Sequence, residues 1–265
     1  MSYPFVRWPS GTPRVATHLM RRLPDSFSSY VSPFLGAGAL PLMMGARLQG
    51  HDVIVADDNE ALVRMWRHVV DDVAPLASEI EALDADLPGD ALGAKTAYYA
   101  RRGEYNELVR SGTDGAREAA LFIWLNAHCF GDTWHVDDDG CLVMPWGGTE
   151  ARRIGTDAVL AAHETMRGAV VRVGGLHETC SEAGEGDLLV LDPPRNRVAG
   201  DLVGVTRDEV WDEFESATAR GARVMMVDFD TSAVRRRYSA YRVDRYRSRD
   251  SVREVVVTNW KGDGR

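Results

Sequence analysis

Runs of apolar residues that end in carboxylates mark the first predicted strands of this chain. The segment HDVIVADD at residues 51–58 alternates apolar and polar positions before its two aspartates, which is typical of a β-strand. The preceding segment, YVSPFLGAGALPLMMGARLQG at residues 30–50, predicts a short strand, a glycine-rich turn at 36–38 and a helix that closes at Gly50. Residues 59–72 predict a second helix. This order of strand, helix and strand predicts the opening of a parallel α/β sheet.

The same kind of alternation returns in the last third of the chain. Segments rich in β-forming residues lie at 169–175, 186–194, 222–230, 241–247 and 253–260. A helix is predicted at about 207–220, between the second and third of these segments. The fold class indicated by both ends of the chain is therefore α/β, with one sheet built from distant parts of the sequence.

The middle of the chain, residues 73–155, has a different pattern. The segment REAALFIWLNAHCF at 117–130 is apolar nearly all round, which predicts a buried helix. Residues 135–148 predict a polar turn and a short extended piece, and no strand–helix alternation is visible. We therefore predict a catalytic domain formed by residues 1–72 and 156–265, with residues 73–155 as an inserted, mostly helical subdomain.

Composition narrows the class of protein further. The chain has 265 residues, of which 45% are hydrophobic and 27% charged, as expected for a water-soluble globular protein. No apolar run approaches the roughly 18–20 residues that span a bilayer, and the N-terminus lacks the pattern of a secretory signal. Three cysteines without metal-ligand spacing favour reduced thiols in a cytoplasmic protein with no metal site.

Charge is distributed unevenly along the chain. The net charge is −9, which argues against a general polyanion binder. Residues 70–115 hold ten acidic residues against four basic ones, whereas residues 235–253 hold eight arginines against two aspartates. The arginine-rich stretch indicates either a local contact with an anionic partner or a solvated surface hairpin.

Two motifs near the N-terminus suit a nucleoside ligand. In FLGAGAL at 34–40, Gly36 and Gly38 allow a tight turn and close approach of the backbone to a ligand. Asp57, roughly 20 residues later at the end of the next predicted strand, has the position of a carboxylate that holds ribose hydroxyls. Asp58 should point to the other face, and either Asp58 or Asn59 is a candidate helix cap.

A third motif, LDPPRN at 191–196, follows another predicted strand. Pro193 and Pro194 lack N–H groups and restrict the backbone, so that their carbonyl groups can point outward beside the Asp192 carboxylate. Such a cluster of acceptors suits an exocyclic amino group.

Taken in order, these motifs resemble the Dam-like DNA adenine-N6 methyltransferases, which use S-adenosylmethionine. The resemblance covers nearly the whole chain. FVRWPSG at 5–11 resembles the N-terminal Lys-Trp-x-Gly-Gly-Lys segment of that family, SPFLGAGAL its cofactor loop, ADDNEALV its Asp-x-Asn ribose motif and VLDPP its catalytic motif. Residues 98–108 and 120–130 resemble its helical target-recognition subdomain, and REVVVTNW resembles its final strand.

The resemblance implies a Rossmann-like methyltransferase sheet with an inserted target-recognition subdomain. It implies a catalytic motif formed by Asp192, Pro193, Pro194 and Arg195, in which Asp192 and the Pro193 carbonyl accept hydrogen bonds from the target amine. It also implies a site for S-adenosylmethionine lined by Trp8, Phe34, Gly36, Gly38, Asp57 and Asp192. The target base must leave the duplex to reach such a pocket.

The chain departs from the family at the residue that follows the two prolines of the catalytic motif. Arg195 stands where the family has an aromatic residue that stacks on the flipped base, a contact worth roughly 1–3 kcal/mol. An arginine in this position can stack on a base, turn outward to a phosphate or lie across an empty pocket.

The recognition subdomain departs as well. Leu125-Asn126 match the family, but Ala127 replaces an arginine, and the aspartates at 137–139 would repel phosphate. We expect Asn126 to contact nucleic acid, and Trp134 either to stack on it or to pack in the protein. Phosphate contacts are expected from Arg235, Arg245, Arg247, Arg249 and Arg253.

Three functions remain open from the sequence. The chain is an adenine-N6 methyltransferase acting on DNA as a monomer or weak dimer, a non-catalytic relative that binds a nucleoside, nucleic acid or protein, or an enzyme with a changed acceptor such as RNA or a modified base.

Overall fold

A mostly parallel β-sheet forms the centre of the protein in a computed structural model. The structure describes residues 3–9, 12–131, 134–148, 150–196, 199, 201–247 and 253–260. Within these residues, seven strands form the main sheet, in the order β3-β2-β1-β4-β7-β9-β8. Pairing is parallel from β3 to β7, and β9 runs antiparallel to both of its neighbours. The α/β class and the Rossmann-like methyltransferase sheet are confirmed.

The strands occupy the segments that the sequence pattern indicates. They are β1 (Ser29–Ser32), β2 (Asp52–Asp57), β3 (Val170–Val173), β4 (Leu188–Leu191), β7 (Arg223–Phe229), β8 (Arg242–Arg247) and β9 (Arg253–Thr258). A small hairpin, β5 (Arg195–Asn196) and β6 (Asp201–Leu202), follows β4. All four residues of β4 are buried, because the sheet is covered on both faces and a central parallel strand is then apolar throughout.

Helices cover both faces of the sheet. They are α1 (Pro13–Met20), α2 (Ala39–Met44), α3 (Glu60–Asp71), α4 (Val73–Ala85), α5 (Ala91–Arg110), α6 (Ala116–His128), α7 (Asp157–Met166), α8 (Leu176–Cys180), α9 (Arg207–Ala219) and α10 (Ser232–Arg237), with a 3-10 turn at Gly45–Leu48. Alternate residues of each strand enter two hydrophobic clusters: Val190 belongs to one, and Leu189 and Leu191 belong to the other. None of the described helices is both long and apolar enough to cross a bilayer.

The middle of the chain is mostly helical, as its sequence predicts. It contains α4, α5 and α6, followed by irregular chain with isolated bridges between Cys129 and Trp146 and between Val136 and Leu142. The helix α6 is buried nearly all round. Its apolar side chains share one hydrophobic cluster with a face of the sheet, so these helices extend the core of the sheet. The subdomain boundaries at 73 and 155 remain a prediction.

The order of the strands places a crevice beside β1. From β1 the chain adds β2 and β3 on one side, and β4 and β7 on the other. In open α/β sheets, ligands bind at such a switch point, outside the carboxyl ends of the strands. The glycine loop after β1 and the Asp-Pro-Pro turn after β4 both begin at this edge.

Candidate active site

The glycine loop after β1 is held in a tight turn by its neighbours. Gly36 and Gly38 have φ angles of 53° and 69°, in the left-handed region that favours glycine. The Trp66 indole donates a hydrogen bond to the Gly36 carbonyl at 3.1 Å. A Cβ atom at Gly38 would lie 2.6 Å from the Trp66 ring. Both glycines are therefore required by the turn, and Trp66 fixes its position.

Asp57, at the end of β2, is tied to this loop. Its carboxylate accepts hydrogen bonds from the Gly36 amide at 2.9 Å and from the Asn59 amide at 3.1 Å. Burial raises the pKa of Asp57 to about 6, because it outweighs the two amides, which lower it, and the nearby Asp58 raises it further. Asn59 accepts a hydrogen bond from the Leu62 amide and is the cap of α3, one of the two predicted candidates.

An open cavity of about 580 Å³ adjoins the loop. Pro33 and Phe34 contribute from the loop after β1, and Asp58 contributes from the end of β2. The remaining walls are formed by Gly174, Gly175, Leu176, His177, Glu178, Gly204, Val205, Glu209, Asp212 and Glu213. The volume is typical of a cofactor site. An aromatic ring, glycines and several carboxylates suit a nucleoside that carries positive charge, as S-adenosylmethionine does.

The structure divides the cofactor residues predicted from the sequence. Phe34 lines the cavity, whereas Trp8, Gly36, Gly38, Asp57 and Asp192 are not among the described residues that line it. Gly36 and Asp57 bond to each other. Trp8 is half-buried and packs on Phe122, with ring centroids 6.1 Å apart.

Sequence reasoning missed much of the cavity wall. Asp58 lines the cavity, although the sequence pattern favours Asp57, and one carboxylate oxygen of Asp58 lies 3.6 Å from a Cβ atom built at Gly204. Gly174 and Gly175 follow β3 at the same edge of the sheet, and this position after a predicted strand was a usable signal. The residues of α9 carried no such signal.

Arg195 points inward, at the acceptors of its own motif. Its Nη1 donates to the Asp192 carboxylate at 2.6 Å and to the Pro193 carbonyl at 3.1 Å, and its Nε donates to Glu254 at 3.2 Å. The side chains of Arg195, Asp192 and Glu254 are 6%, 8% and 0% exposed. One alternative from the sequence was that Arg195 turns outward to a phosphate. In this structure it does not, because two buried carboxylates hold the guanidinium.

The buried cluster keeps Arg195 charged. Burial alone lowers the pKa of Arg195, but the negative charges of Asp192 and Glu254 outweigh it, and the pKa is raised above its usual value. Glu254 comes from β9 and pairs across the strands with Tyr246 of β8. One arginine thus links the end of β4 to the antiparallel edge of the sheet.

The predicted phosphate-binding arginines fall into two groups. Arg235 and Arg245 both bond to Asp230, whose side chain is 1% exposed. Arg247 and Arg253 are exposed, lie opposite each other on β8 and β9, and line a cavity of about 360 Å³ with Asp230, Arg245 and Tyr246. Arg249 lies outside the described residues. The pairing with Asp230 makes Arg235 first of all a structural residue.

Asn126 and Trp134 lie in the core, and their contacts with nucleic acid stay a prediction. The Asn126 side chain accepts a hydrogen bond from the Arg7 amide at 2.7 Å and donates one to the Arg7 carbonyl at 3.0 Å. Trp134 is 9% exposed and packs on Phe122, with ring centroids 4.3 Å apart. Of the two alternatives for Trp134, packing is the one observed. Both side chains are used by the fold itself.

Comparison with known proteins identifies the family. A family model described as D12 class N6 adenine-specific DNA methyltransferase matches residues 14–246. A Type II methyltransferase, M.MjaIII of Methanocaldococcus jannaschii, is 29% identical over 150 residues, which are 54% of this chain and 52% of that protein. The DNA adenine methylase of Serratia marcescens is 25% identical over 191 residues, 72% of this chain and 66% of that protein.

A third relative matches over almost its whole length. The Type II methyltransferase M1.LlaDCHI of Lactococcus lactis subsp. cremoris is 20% identical in an alignment of 287 positions, which covers 97% of this chain and 95% of that protein. The match to M.MjaIII, by contrast, spans about half of that protein. Because the family model covers most of the chain and the fold and motifs agree with it, this chain belongs to the D12 class N6 adenine-specific DNA methyltransferase family.

Proposed function

We propose that this chain transfers a methyl group from S-adenosylmethionine to the exocyclic amine of an adenine base in DNA. One observation carries the proposal: the glycine loop, whose Phe34 lines the open cavity, and the Asp-Pro-Pro turn follow the adjacent parallel strands β1 and β4 at the switch point of the sheet. Ligands of open α/β sheets bind at this place. The names of the relatives agree with this activity.

The cofactor residues would act mainly by positioning. Phe34, Asp58 and the glycines after β3 would enclose the adenosine part, and Asp57 would accept hydrogen bonds from the ribose. Trp8, Gly36, Gly38 and Asp192 are further proposed cofactor contacts. When bound, S-adenosylmethionine supplies an electrophilic methyl group.

Asp192 and the Pro193 carbonyl would orient the target amine. Hydrogen bonds from the amine to these two acceptors direct the nitrogen lone pair toward the methyl group and stabilise the positive charge that develops on nitrogen. Pro194 keeps the turn rigid, because its ring fixes the backbone φ angle. The amine proton can then be released to Asp192 or to solvent.

The DNA surface would be supplied mainly by Arg247 and Arg253, with Arg245 beside them. These side chains line the same cavity at the antiparallel edge of the sheet. Phosphate contacts of this kind supply most of the sequence-independent affinity for DNA. We further propose that the protein works in the cytoplasm, since its three cysteines are buried thiols without a disulfide in the described structure. It would act there as a monomer or a weak dimer.

Labelled cofactor tests the proposal. The protein is incubated with S-adenosylmethionine carrying a labelled methyl group and with mixed-sequence duplex DNA, and the digested nucleosides are separated by mass spectrometry. The expected product is labelled N6-methyladenine. Cofactor binding without label in any DNA base would contradict the proposal.

A non-catalytic role is the second candidate, and the inward position of Arg195 favours it. The guanidinium uses acceptors that the target amine needs. Calorimetry with S-adenosylmethionine and S-adenosylhomocysteine separates the two candidates further. The methyltransferase must bind S-adenosylmethionine, whereas a protein that only binds partners does not require either ligand.

A further inference from the structure

The Arg195 guanidinium stands where the proposed reaction places the target amine. The Asp192 carboxylate and the Pro193 carbonyl both accept hydrogen bonds from the same nitrogen of Arg195, at 2.6 Å and 3.1 Å. An exocyclic amine would need these same two acceptors. Arg195 is thus a planar nitrogen donor that imitates the amine from within the chain.

Two features hold this arrangement in place. Glu254 is fully buried and accepts a hydrogen bond from Nε of Arg195, so that the guanidinium bridges two carboxylates. The backbone of the turn is fixed by the β5–β6 hairpin, in which Arg195 pairs with Leu202 and the Val203 amide donates to the Pro194 carbonyl. A base can reach the acceptors only after the guanidinium moves.

We infer that Arg195 determines which substrates can receive the methyl group. Its guanidinium occupies the position of the target amine until a nucleic-acid strand displaces it. The inference rests on the proposed function. Removing one partner from a buried ion pair is strongly unfavourable unless the released charge is compensated. A nucleotide strand brings phosphates that can receive the guanidinium, because arginine forms strong paired hydrogen bonds with phosphate. A free nucleoside brings no phosphate and is excluded.

The release of Arg195 would leave Glu254 as a buried, unpaired carboxylate close to Asp192. For this reason the most informative variant removes both charges, as Arg195→Ala combined with Glu254→Gln. Arg195→Lys keeps a cation that can reach one carboxylate but cannot bridge two as the planar guanidinium does. Arg64→Ala is the matched control, because Arg64 also bonds to a buried carboxylate, Glu118, in a contact between α3 and α6 that involves none of the residues lining the cofactor cavity.

The experiment measures binding of deoxyadenosine by calorimetry in the presence of saturating S-adenosylhomocysteine. We expect the double variant to bind deoxyadenosine about tenfold or more tightly than the wild type, in line with the large effect of opening a buried ion pair. The affinity of Arg195→Lys should lie between these two values, and the affinity of Arg64→Ala should match that of the wild type. Equal binding by the wild type and both Arg195 variants, all of them folded by circular dichroism, would overturn the inference.

A second readout separates this inference from the proposed function. Single-turnover methyl transfer is measured with deoxyadenosine and with duplex DNA as acceptors. Gain of deoxyadenosine binding in the variants without methyl transfer by any protein would reject the methyltransferase function and support the role of Arg195. Methyl transfer to deoxyadenosine by the wild type, at the rate of the double variant, would confirm the function and reject the role of Arg195.

Discussion

The crevice has two halves that differ in what holds their polar groups. In the cofactor half, formed by the glycine loop, Asp57 and the 580 Å³ cavity, backbone amides of Gly36 and Asn59 bond to the carboxylate, and the cavity is open. The acceptor half is formed by Asp192, Pro193, Arg195 and Glu254. Here the Arg195 side chain donates hydrogen bonds to the two carboxylates and to the Pro193 carbonyl.

The difference shows how the acceptor half of a site can be occupied by a side chain while the cofactor half stays open to a ligand. Backbone amides are fixed by the sheet and its turns, so the contacts in the cofactor half persist whatever ligand is present. A guanidinium can rotate away, so the contacts in the acceptor half can be exchanged for those of a ligand. Variants that affect one half alone can therefore test whether the two halves work independently.

Asp192→Asn should give the largest effect, in the acceptor half. The substitution keeps the size of the side chain but replaces an acceptor oxygen by an amide donor, and it removes the partner of Arg195. We expect methyl transfer to DNA to fall by about 10²–10³-fold, as for other losses of one electrostatic contact in a catalytic site. Single-turnover rates with labelled cofactor measure the loss.

The matched control is Asp187→Asn, at the opposite end of β4. The Asp187 carboxylate accepts a hydrogen bond from the Gly184 amide, away from the crevice. An equal loss of activity in both variants would mean that strand β4 is destabilised, and that Asp192 has no special part in the reaction.

Gly38→Ala should give the next largest effect, in the cofactor half. The new Cβ meets the Trp66 ring at 2.6 Å, and alanine is strained at the φ angle of 69°. Gly50→Ala is the control, because Gly50 has a φ angle of 81° and no atom within 4 Å of the new Cβ. We expect Gly38→Ala to lower the free energy of unfolding by roughly 1–3 kcal/mol more than Gly50→Ala, through overpacking.

Thermal and denaturant unfolding measure this difference, and calorimetry gives the accompanying loss of cofactor affinity. Identical unfolding free energies for the two variants would show that Trp66 does not clamp the loop.

The pH dependence of cofactor binding tests Asp57. Because the ionised carboxylate accepts the ribose hydrogen bonds, affinity should fall as the pH drops below the pKa of about 6, by roughly tenfold for each further pH unit. The free energy of unfolding depends on pH in the opposite sense. A pKa raised in the folded state makes the contribution of Asp57 to the free energy of unfolding largest below pH 4, and this contribution is lost as the pH rises through 6.

Both pH effects should disappear in Asp57→Asn, measured by calorimetry and by denaturant unfolding between pH 4 and pH 8. A wild-type cofactor affinity that is constant over this range would place the ribose on another residue, with Asp58 as the first alternative.

Arg247→Ala should give the smallest effect, outside both halves. Loss of one exposed phosphate contact should weaken binding to DNA severalfold and lower the slope of log affinity against log salt by about 1. Arg235→Ala should instead destabilise the fold, because it takes a partner from buried Asp230.

Arg167→Ala serves as the surface control, since Arg167 pairs only loosely with Glu164 on the exposed side of α7. Fluorescence anisotropy with duplex DNA at several salt concentrations measures the three variants. A salt slope that Arg247→Ala leaves unchanged would remove this edge of the sheet from the DNA surface.

The sequence predicts the sheet, the glycine turn and the position of Asp57 at a strand end, because all three depend on local signals. Apolar runs that end in glycine or aspartate place Gly36, Gly38 and Asp57 at strand ends, and parallel strands bring those ends together. The helix cap at Asn59 is likewise predicted from neighbouring residues in the sequence.

The acceptor half depends on contacts between distant residues, which local patterns do not contain. Arg195 bonds to Glu254, 59 positions later, and only the pairing of β9 with β7 brings them together. Asn126 is fixed by Arg7, 119 positions earlier, so a residue in the position of a DNA contact becomes a core residue.

Binding of S-adenosylhomocysteine to the wild type and to the Arg195→Ala, Glu254→Gln double variant tests the central claim most directly. Titration calorimetry should show one site with the same affinity in both proteins, because the cofactor half does not use Arg195. Absence of binding in the wild type together with tight binding in the double variant would contradict the account, since Arg195 would then close the cofactor half as well.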